Sequence, residues 1–135
     1  NLLLKTINEN SGFMALAAGR LVTETKSTLQ ELADEFITDK PTLVELDGRF
    51  NNGEYLQRNG YLRFAWHNDA ATAYLFVAGE AYFVELAAGE TLSWLTTKSQ
   101  LDQKDWQQLR KYPALADVCC ELVAEGAFYW PEDFI

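Results

Sequence analysis

Three short runs with a strand-like pattern follow one another between residues 61 and 84. In the first run, apolar and polar side chains alternate between two faces, which is the period-2 pattern of a half-buried strand. The alternating residues are Leu62, Phe64 and Trp66 on one face, with Arg63 and His67 on the other. Residues 72–77 are apolar on both faces and predict a more central strand. Residues 80–84 follow Ala78-Gly79, a pair that suits a two-residue hairpin. The pattern predicts a small antiparallel meander.

Helical spacing characterises the N-terminal region. Residues 2–8 and 12–25 are predicted helices, because their apolar positions recur every three or four residues. The stripe that we expect to form an interface consists of Leu4, Ile7, Phe13, Leu16 and Leu21. Such a stripe needs a partner, which is either the rest of the domain or a second subunit. Residues 28–36 predict a third helix or an acidic linker.

The remaining segments predict short helices and one more strand. Residues 38–41 predict a helix start with Pro41 in the first turn, and Gly48 is expected to end that helix. Asp102 is expected to cap a helix, and Pro113 to open another that Gly126 closes. Residues 128–130 predict a last strand, which could pair back with the meander. Short helices packed on a small antiparallel sheet predict an α+β fold.

The composition and charge of the chain reduce the number of possible functions. The chain has 135 residues, 13% of them aromatic, and a net charge of −9, which suits one folded domain, or one domain with a helical arm. Its eleven basic residues are scattered, whereas DNA binding needs clustered Lys and Arg. No apolar run reaches the length of a membrane span, and no signal peptide is recognisable. The chain begins at Asn1, so we expect a piece of a longer protein. Its adjacent cysteines suit a reducing cytosol and therefore a cytoplasmic location.

Few residues of this chain are candidates for catalysis or metal binding. His67 is the only histidine, and beside a predicted turn it reads as a surface residue. A non-haem iron site needs two histidines and a carboxylate on one face of the metal, so this chain lacks that triad. Cys119 and Cys120 fall in the middle of a predicted helix and are expected to be buried thiols. The four tryptophans are expected to anchor the core. We therefore predict no catalytic, cofactor or metal residues in this chain.

The amino-acid sequences of several segments resemble the C-terminal module of bacterial ribosomal oxygenases of the JmjC/cupin type. The matching segments are LQR at 56–58, RFAW at 63–66, LFVxGExY at 75–82, LVxEG at 122–126 and FYW at 128–130. Residues 13–25 are similar to the segment that leads out of the family's dimerisation helices. Together these segments span most of the chain in the order that the family has.

The resemblance implies a division into a helical arm at residues 1–36, part of a dimerisation region, and a winged-helix-like domain at 37–135. It implies a homodimer that belongs to an Fe(II)- and 2-oxoglutarate-dependent ribosomal protein arginine hydroxylase. The Fe(II) and 2-oxoglutarate sites would lie in a cupin domain outside this chain. The module would serve dimer assembly, scaffolding and docking of the ribosomal protein substrate, with no contact to DNA or membrane.

Two other functions remain open at this point. One is a stand-alone winged-helix transcription regulator, for which a basic recognition helix would be the supporting feature. The other is an acidic inhibitor or binding protein, for which a dense carboxylate stripe would be the supporting feature.

Overall fold

The computed structural model describes residues 15–135, which form short helices and two small antiparallel sheets. The helices are α1 (15–23), α2 (Ser27–Ala33), α3 (Leu43–Asn51), α4 (Gly89–Leu95), α5 (Gln103–Leu109) and α6 (Pro113–Ala124). Single turns of 3₁₀ helix occur at Asp34–Phe36, Leu86–Ala88 and Pro131–Phe134. The described part of the predicted helix at 12–25 is helical to residue 23, and the segment at 28–36 is a helix followed by a 3₁₀ turn. The predicted helix at 2–8 lies outside the described residues.

The predicted meander is confirmed. Its strands are β2 (Phe64–Asn68), β3 (Ala73–Val77) and β4 (Glu80–Val84), with β3 in the centre. The tight turn at Ala78-Gly79 has positive φ at both residues (52° and 85°), as a type I′ hairpin requires. The inner face of the sheet, which includes Leu75, packs against α4 and α6.

A second sheet, with the order β5-β1-β6, was only partly predicted. It consists of β1 (Leu56–Arg58), β5 (Gln100–Leu101) and β6 (Phe128–Tyr129), all antiparallel neighbours. The last strand therefore pairs with β1, and the expected pairing with the meander is wrong. At two or three residues each, these strands are too short to show an alternating pattern.

The predicted bounds of α3 are also wrong. The helix begins at Leu43, because the Thr42 side chain accepts a hydrogen bond from the Glu45 N–H at 3.1 Å and so caps it. It continues past Gly48 to Asn51, because Phe50 is buried one turn beyond Leu46 and extends the same apolar face. Burial of the two large side chains outweighs the helix-weakening effect of glycine, which is about 1 kcal/mol.

Helix α1 lies on the outer face of the meander at a very close distance. A Cβ atom on Gly19 would overlap the ring of Phe76, so any other residue here would displace that ring. Phe76 is fully buried beneath the helix. The Thr23 hydroxyl donates to the Gly19 carbonyl at 2.9 Å and accepts from the Gly79 N–H at 3.0 Å. The end of α1 is thereby fixed to the hairpin turn.

The two C-terminal helices have the predicted signals. Asp102 and Asp105 form a reciprocal capping box at the start of α5. Helix α6 begins at Pro113, and its inward side chains are buried as predicted: Leu115, Val118, Cys119, Leu122 and Val123. Beyond its end, Gly126 has φ +76°. Its N–H donates to the Val123 carbonyl and the Ala127 N–H donates to the Leu122 carbonyl, which is a Schellman motif.

Helices α3 and α5 are joined by a charged contact at their surface. The Trp106 indole N–H donates to the Asp47 carboxylate at 2.6 Å, and Arg110 contacts the same carboxylate at 3.3 Å. Burial raises the pKa of Asp47, but the hydrogen bonds from Trp106 and Arg110 lower it by more, so this pKa lies below its usual range. Trp106 is itself buried against Phe50, with ring centroids 5.4 Å apart.

Replacement of Gly126 should destabilise the domain strongly. A Cβ atom there would lie 2.8 Å from the carbonyl carbon of Phe36, and the positive φ adds about 1–2 kcal/mol for a non-glycine residue. Gly126→Ala should therefore lower the free energy of unfolding by at least about 2 kcal/mol in urea titrations. The matched control is Gly48→Ala, in a helix with no atom near the new methyl, which should raise it by about 0.5–1 kcal/mol. Equal effects at the two positions would contradict this explanation.

The contact at Asp47 should make stability depend on pH on the acid side. Because the pKa of Asp47 is lowered in the folded state, its contribution is present above the unfolded value of about 3.9 and is lost as the pH falls through the lower folded pKa. Asp47→Asn should therefore flatten the loss of unfolding free energy between about pH 5 and pH 2.5. Urea titrations across that range test this. Glu31→Gln on α2 is the control, and parallel curves for Asp47→Asn and the unmodified chain would refute the assignment.

Candidate functional site

The predicted interface stripe is only partly within the described residues. Leu4, Ile7 and Phe13 lie outside them. Leu16 is half-buried on the side of α1 that faces the meander, together with Gly19 and Thr23. Leu21 is 69% exposed and Val22 is 56% exposed. The outward side of α1 therefore presents aliphatic side chains that nothing within residues 15–135 covers, and the burial of Leu21 by a second copy stays a prediction.

Helices α5 and α6 form a helix–turn–helix. The connection is residues 110–112, which is the length typical of this motif. In DNA-binding proteins the second helix enters the major groove. Here the outward side of α6 carries Asp117, Glu121 and Glu125 at intervals of four residues. The face that would meet phosphates is therefore acidic.

The N-terminus of α6 is already occupied by a carboxylate of the same chain. Glu85, which follows β4, accepts hydrogen bonds from the backbone N–H groups of Ala114 at 2.8 Å and Leu115 at 3.1 Å. Free N–H groups at this place are what a phosphate would bind. The sequence does not reveal this cap, because the bonded residues are 29 and 30 positions apart.

Several basic side chains are paired with carboxylates inside the domain. Lys40 contacts Asp117 at 3.2 Å and Glu121 at 3.9 Å, so it neutralises part of the acidic stripe on α6. The hydrogen bond with Asp117 raises the pKa of Lys40. The other ion pairs join Arg49 to Glu54 and Asp133, Lys98 to Asp105, and Arg110 to Asp47. Of the basic residues on α5 and its connection to α6, Lys104 and Lys111 remain exposed without an ion pair within residues 15–135. The contacts of Lys40 also interrupt the carboxylate stripe that an acidic inhibitor would need.

His67 has no surroundings that suit an iron centre. It is exposed on β2 and stacks on Tyr74 with ring centroids 6.1 Å apart. The nearby Asp69 carboxylate accepts hydrogen bonds from the Tyr74 hydroxyl at 2.6 Å and from the Ala71 and Thr72 N–H groups. These bonds lower the pKa of Asp69, with Tyr74 the largest cause. Within residues 15–135, no three metal-ligating side chains cluster together, so the residues present do not fit an Fe(II) site.

The two cysteines are buried and unbonded, as predicted. Burial raises the pKa of the Cys119 thiol, and the neighbouring Cys120 raises it further. A thiol that stays protonated is a poor nucleophile. Among the tryptophans, Trp106 and Trp130 are core anchors, Trp94 is half-buried, and Trp66 is 37% exposed.

A cleft of about 270 Å³ opens beside the C-terminal segment. Three aromatic rings form one wall: Phe36 stacks on Tyr129 with centroids 4.1 Å apart, and Phe134 packs edge-on against both. Two carboxylates, those of Asp39 and Glu45, also line the cleft. Neither forms an ion pair with any side chain of the described residues.

The far end of the cleft is closed by Arg49. Its guanidinium contacts Glu54 at 2.7 Å and Asp133 at 2.8 Å, and lies over the Trp130 ring at 4.5 Å from its centre. The hydrogen bond from Arg49 lowers the pKa of Asp133. The sequence could not show this cluster, because Arg49 and Asp133 are 84 positions apart.

Comparison with solved structures finds the same fold in a ribosomal oxygenase. YcfD from Escherichia coli, in complex with cobalt and 2-oxoglutarate, matches 95% of this chain with a TM-score of 0.61 at 15% identity. A second structure of YcfD matches 93% of this chain with a TM-score of 0.55 at 15% identity. The chain covers 33% and 35% of the YcfD chain in those two structures. At this identity the likeness establishes the fold alone. No protein with a curated description matches.

The helices over residues 15–135 are all too short or too polar to cross a membrane. The predicted α+β architecture with a small antiparallel sheet and a helical N-terminal region is confirmed, and it is a winged-helix domain. The model of the family described as ROXA-like winged helix matches residues 8–129, nearly the whole sequence. The chain therefore belongs to the ROXA-like winged helix family.

Proposed function

We propose that this chain is the non-catalytic C-terminal module of an Fe(II)- and 2-oxoglutarate-dependent ribosomal protein arginine hydroxylase. The observation that carries the proposal is the family match over residues 8–129, together with the fold shared with YcfD. Because the chain covers about a third of that oxygenase, the remaining two thirds would supply the metal and 2-oxoglutarate sites. The enzyme would work in the cytoplasm, on a ribosomal protein.

The chemistry of the described residues supports a role without catalysis. The sole histidine of the chain is exposed and stacked on Tyr74, and the cysteines are buried thiols. The acidic outward side of α6 and the cap by Glu85 speak against a transcription regulator. Carboxylates repel phosphates, and the cap occupies the backbone N–H groups that a phosphate would bind.

The second part of the proposal is that the N-terminal helices pair two copies of the enzyme. Helix α1 is fixed to the domain through Gly19 and Thr23, so a partner held by its outward side would be held at a defined position. Leu21 and Val22 on that side are exposed. In a symmetric dimer the same surface of each copy would be buried. The homodimer, the scaffolding role and the boundary near residue 36 rest on this proposal.

The chain alone should bind neither Fe(II) nor 2-oxoglutarate stoichiometrically, because it lacks two histidines and a carboxylate on one face of a metal. Anaerobic titration calorimetry with Fe(II), with and without 2-oxoglutarate, is the measurement. His67→Ala is the control and should give the same trace as the unmodified chain. Stoichiometric micromolar binding that His67→Ala abolishes would place the chemistry in this chain and refute the proposal.

Replacing Leu21 with a polar residue should weaken self-association without unfolding the domain. Leu21 is 69% exposed in the single chain, whereas burying a leucine contributes about 1.5–3 kcal/mol, and a symmetric dimer buries it twice. Leu21→Gln should therefore raise the dimer dissociation constant at least about tenfold in sedimentation velocity experiments. The control is Val44→Gln, at a residue that is 77% exposed on α3. A monomeric unmodified chain at high concentration, or equal weakening by both variants, would refute the arm as the dimer interface.

A further inference from the structure

The geometry points to the cleft between Phe36, Asp39, Glu45 and Tyr129 as a binding site for an arginine side chain of a basic polypeptide segment. The cleft lies where the 3₁₀ turn at Asp34–Phe36, the N-terminal half of α3 and the segment after β6 meet.

The charge of the cleft selects a cation. Its charged lining residues are Asp39, Glu45, Asp133 and Arg49. Arg49 and Asp133 neutralise each other at 2.8 Å, so the two carboxylates without a partner in residues 15–135 leave the cleft negative. The net charge of −9 on the whole chain adds a field of the same sign. Neither the carboxylates of the cleft nor the net charge of the chain would attract an anionic or neutral ligand.

The wall of the cleft selects a flat cation over a compact one. Phe36 and Tyr129 are half-buried and Phe134 is 40% exposed, so ring surface remains accessible beside the carboxylates. A guanidinium stacks on aromatic rings and forms paired hydrogen bonds with carboxylates, whereas an ammonium is a strongly hydrated point charge. This combination favours arginine over lysine.

Within the chain, the side chain of Arg49 is already bound in this way. Its guanidinium lies over Trp130 and contacts the carboxylates of Glu54 and Asp133. The open part of the cleft repeats these ingredients, with aromatic rings and two carboxylates, but without a guanidinium of its own. At about 270 Å³, it is smaller than the sites that hold drug-sized ligands, which are about 300–1,000 Å³. It therefore suits one side chain of a longer segment.

The identification of that segment with a ribosomal protein rests on the proposed function, whereas binding of an arginine peptide does not. The arginine site and the identity of its natural partner can therefore be refuted separately. A peptide that binds in the cleft of a chain whose parent is no ribosomal oxygenase would leave the site intact and change only its natural partner.

The experiment is a titration of the ¹⁵N-labelled chain with three blocked pentapeptides, each of four alanines around a central arginine, lysine or citrulline. Citrulline has the shape of arginine without its charge. Amide signals should shift around Phe36, Glu45 and Tyr129, with the arginine peptide binding more tightly than the lysine peptide and the citrulline peptide not binding. The double variant Asp39→Asn, Glu45→Gln should weaken arginine binding about three- to tenfold, as expected for two exposed ion pairs.

The matched control is the double variant Glu31→Gln, Glu90→Gln, which removes the same charge from exposed positions outside the cleft and should leave the affinity unchanged. Each variant's spectrum shows whether the fold is retained. Equal weakening by both double variants, or signal shifts spread over the acidic surface, would mean general charge attraction and would overturn the site. Equal binding of citrulline and arginine peptides would also overturn it.

Discussion

The buried amide of Asn59 holds the parts of this domain together. Its side-chain N–H group donates to the carbonyl of Gly126 at 2.9 Å and to that of Ala33 at 3.3 Å. Its side-chain oxygen accepts from the Tyr61 N–H, and its backbone N–H donates to the Ala127 carbonyl. Asn59 is 1% exposed, so any of these groups left unpaired would cost about 1–3 kcal/mol. One residue after β1 thereby fixes the end of α2 against the end of α6, which no apolar contact could do with the same directionality.

The junction at Asn59 also explains where the cleft is. Gly126 can present its carbonyl to Asn59 only because the Schellman motif turns the chain sharply after α6, with φ +76°. The absence of a Cβ there lets the backbone of Phe36 approach to a distance that no other residue would permit. Phe36 is thus brought against Tyr129, which follows Gly126 by three residues and forms the aromatic wall. The position of the end of α2 and the cleft therefore depend on the same few backbone contacts, and a change in one should alter the other.

The sequence predicted those parts of the fold whose signals are local. The meander and α6 are encoded by alternation, by the Ala78-Gly79 turn and by Pro113 and Gly126 at the helix ends. Of the sheet of β1, β5 and β6, only β6 was predicted as a strand, because strands of two or three residues carry no period. The predicted start of α3 was wrong. Pro41 suggested an earlier start, whereas the Thr42 side chain caps the helix. The cleft, the Glu85 cap and the Asn59 junction all join residues far apart in sequence, so only the folded chain brings them together.

Polar groups at the start and on the outward side of α6 are bonded within the domain. Glu85 takes the N–H groups of α6 that a phosphate would otherwise bind, and Lys40 is held by two carboxylates on the outward side of that helix. Both contacts are intramolecular, so the N-terminus of α6 and part of its outward side are less available to a phosphate. Function is carried by sites rather than by folds. Two features of the described residues take no part in these contacts. They are the exposed aliphatic side of α1 and the cleft lined by Asp39 and Glu45. Both suit contact with protein.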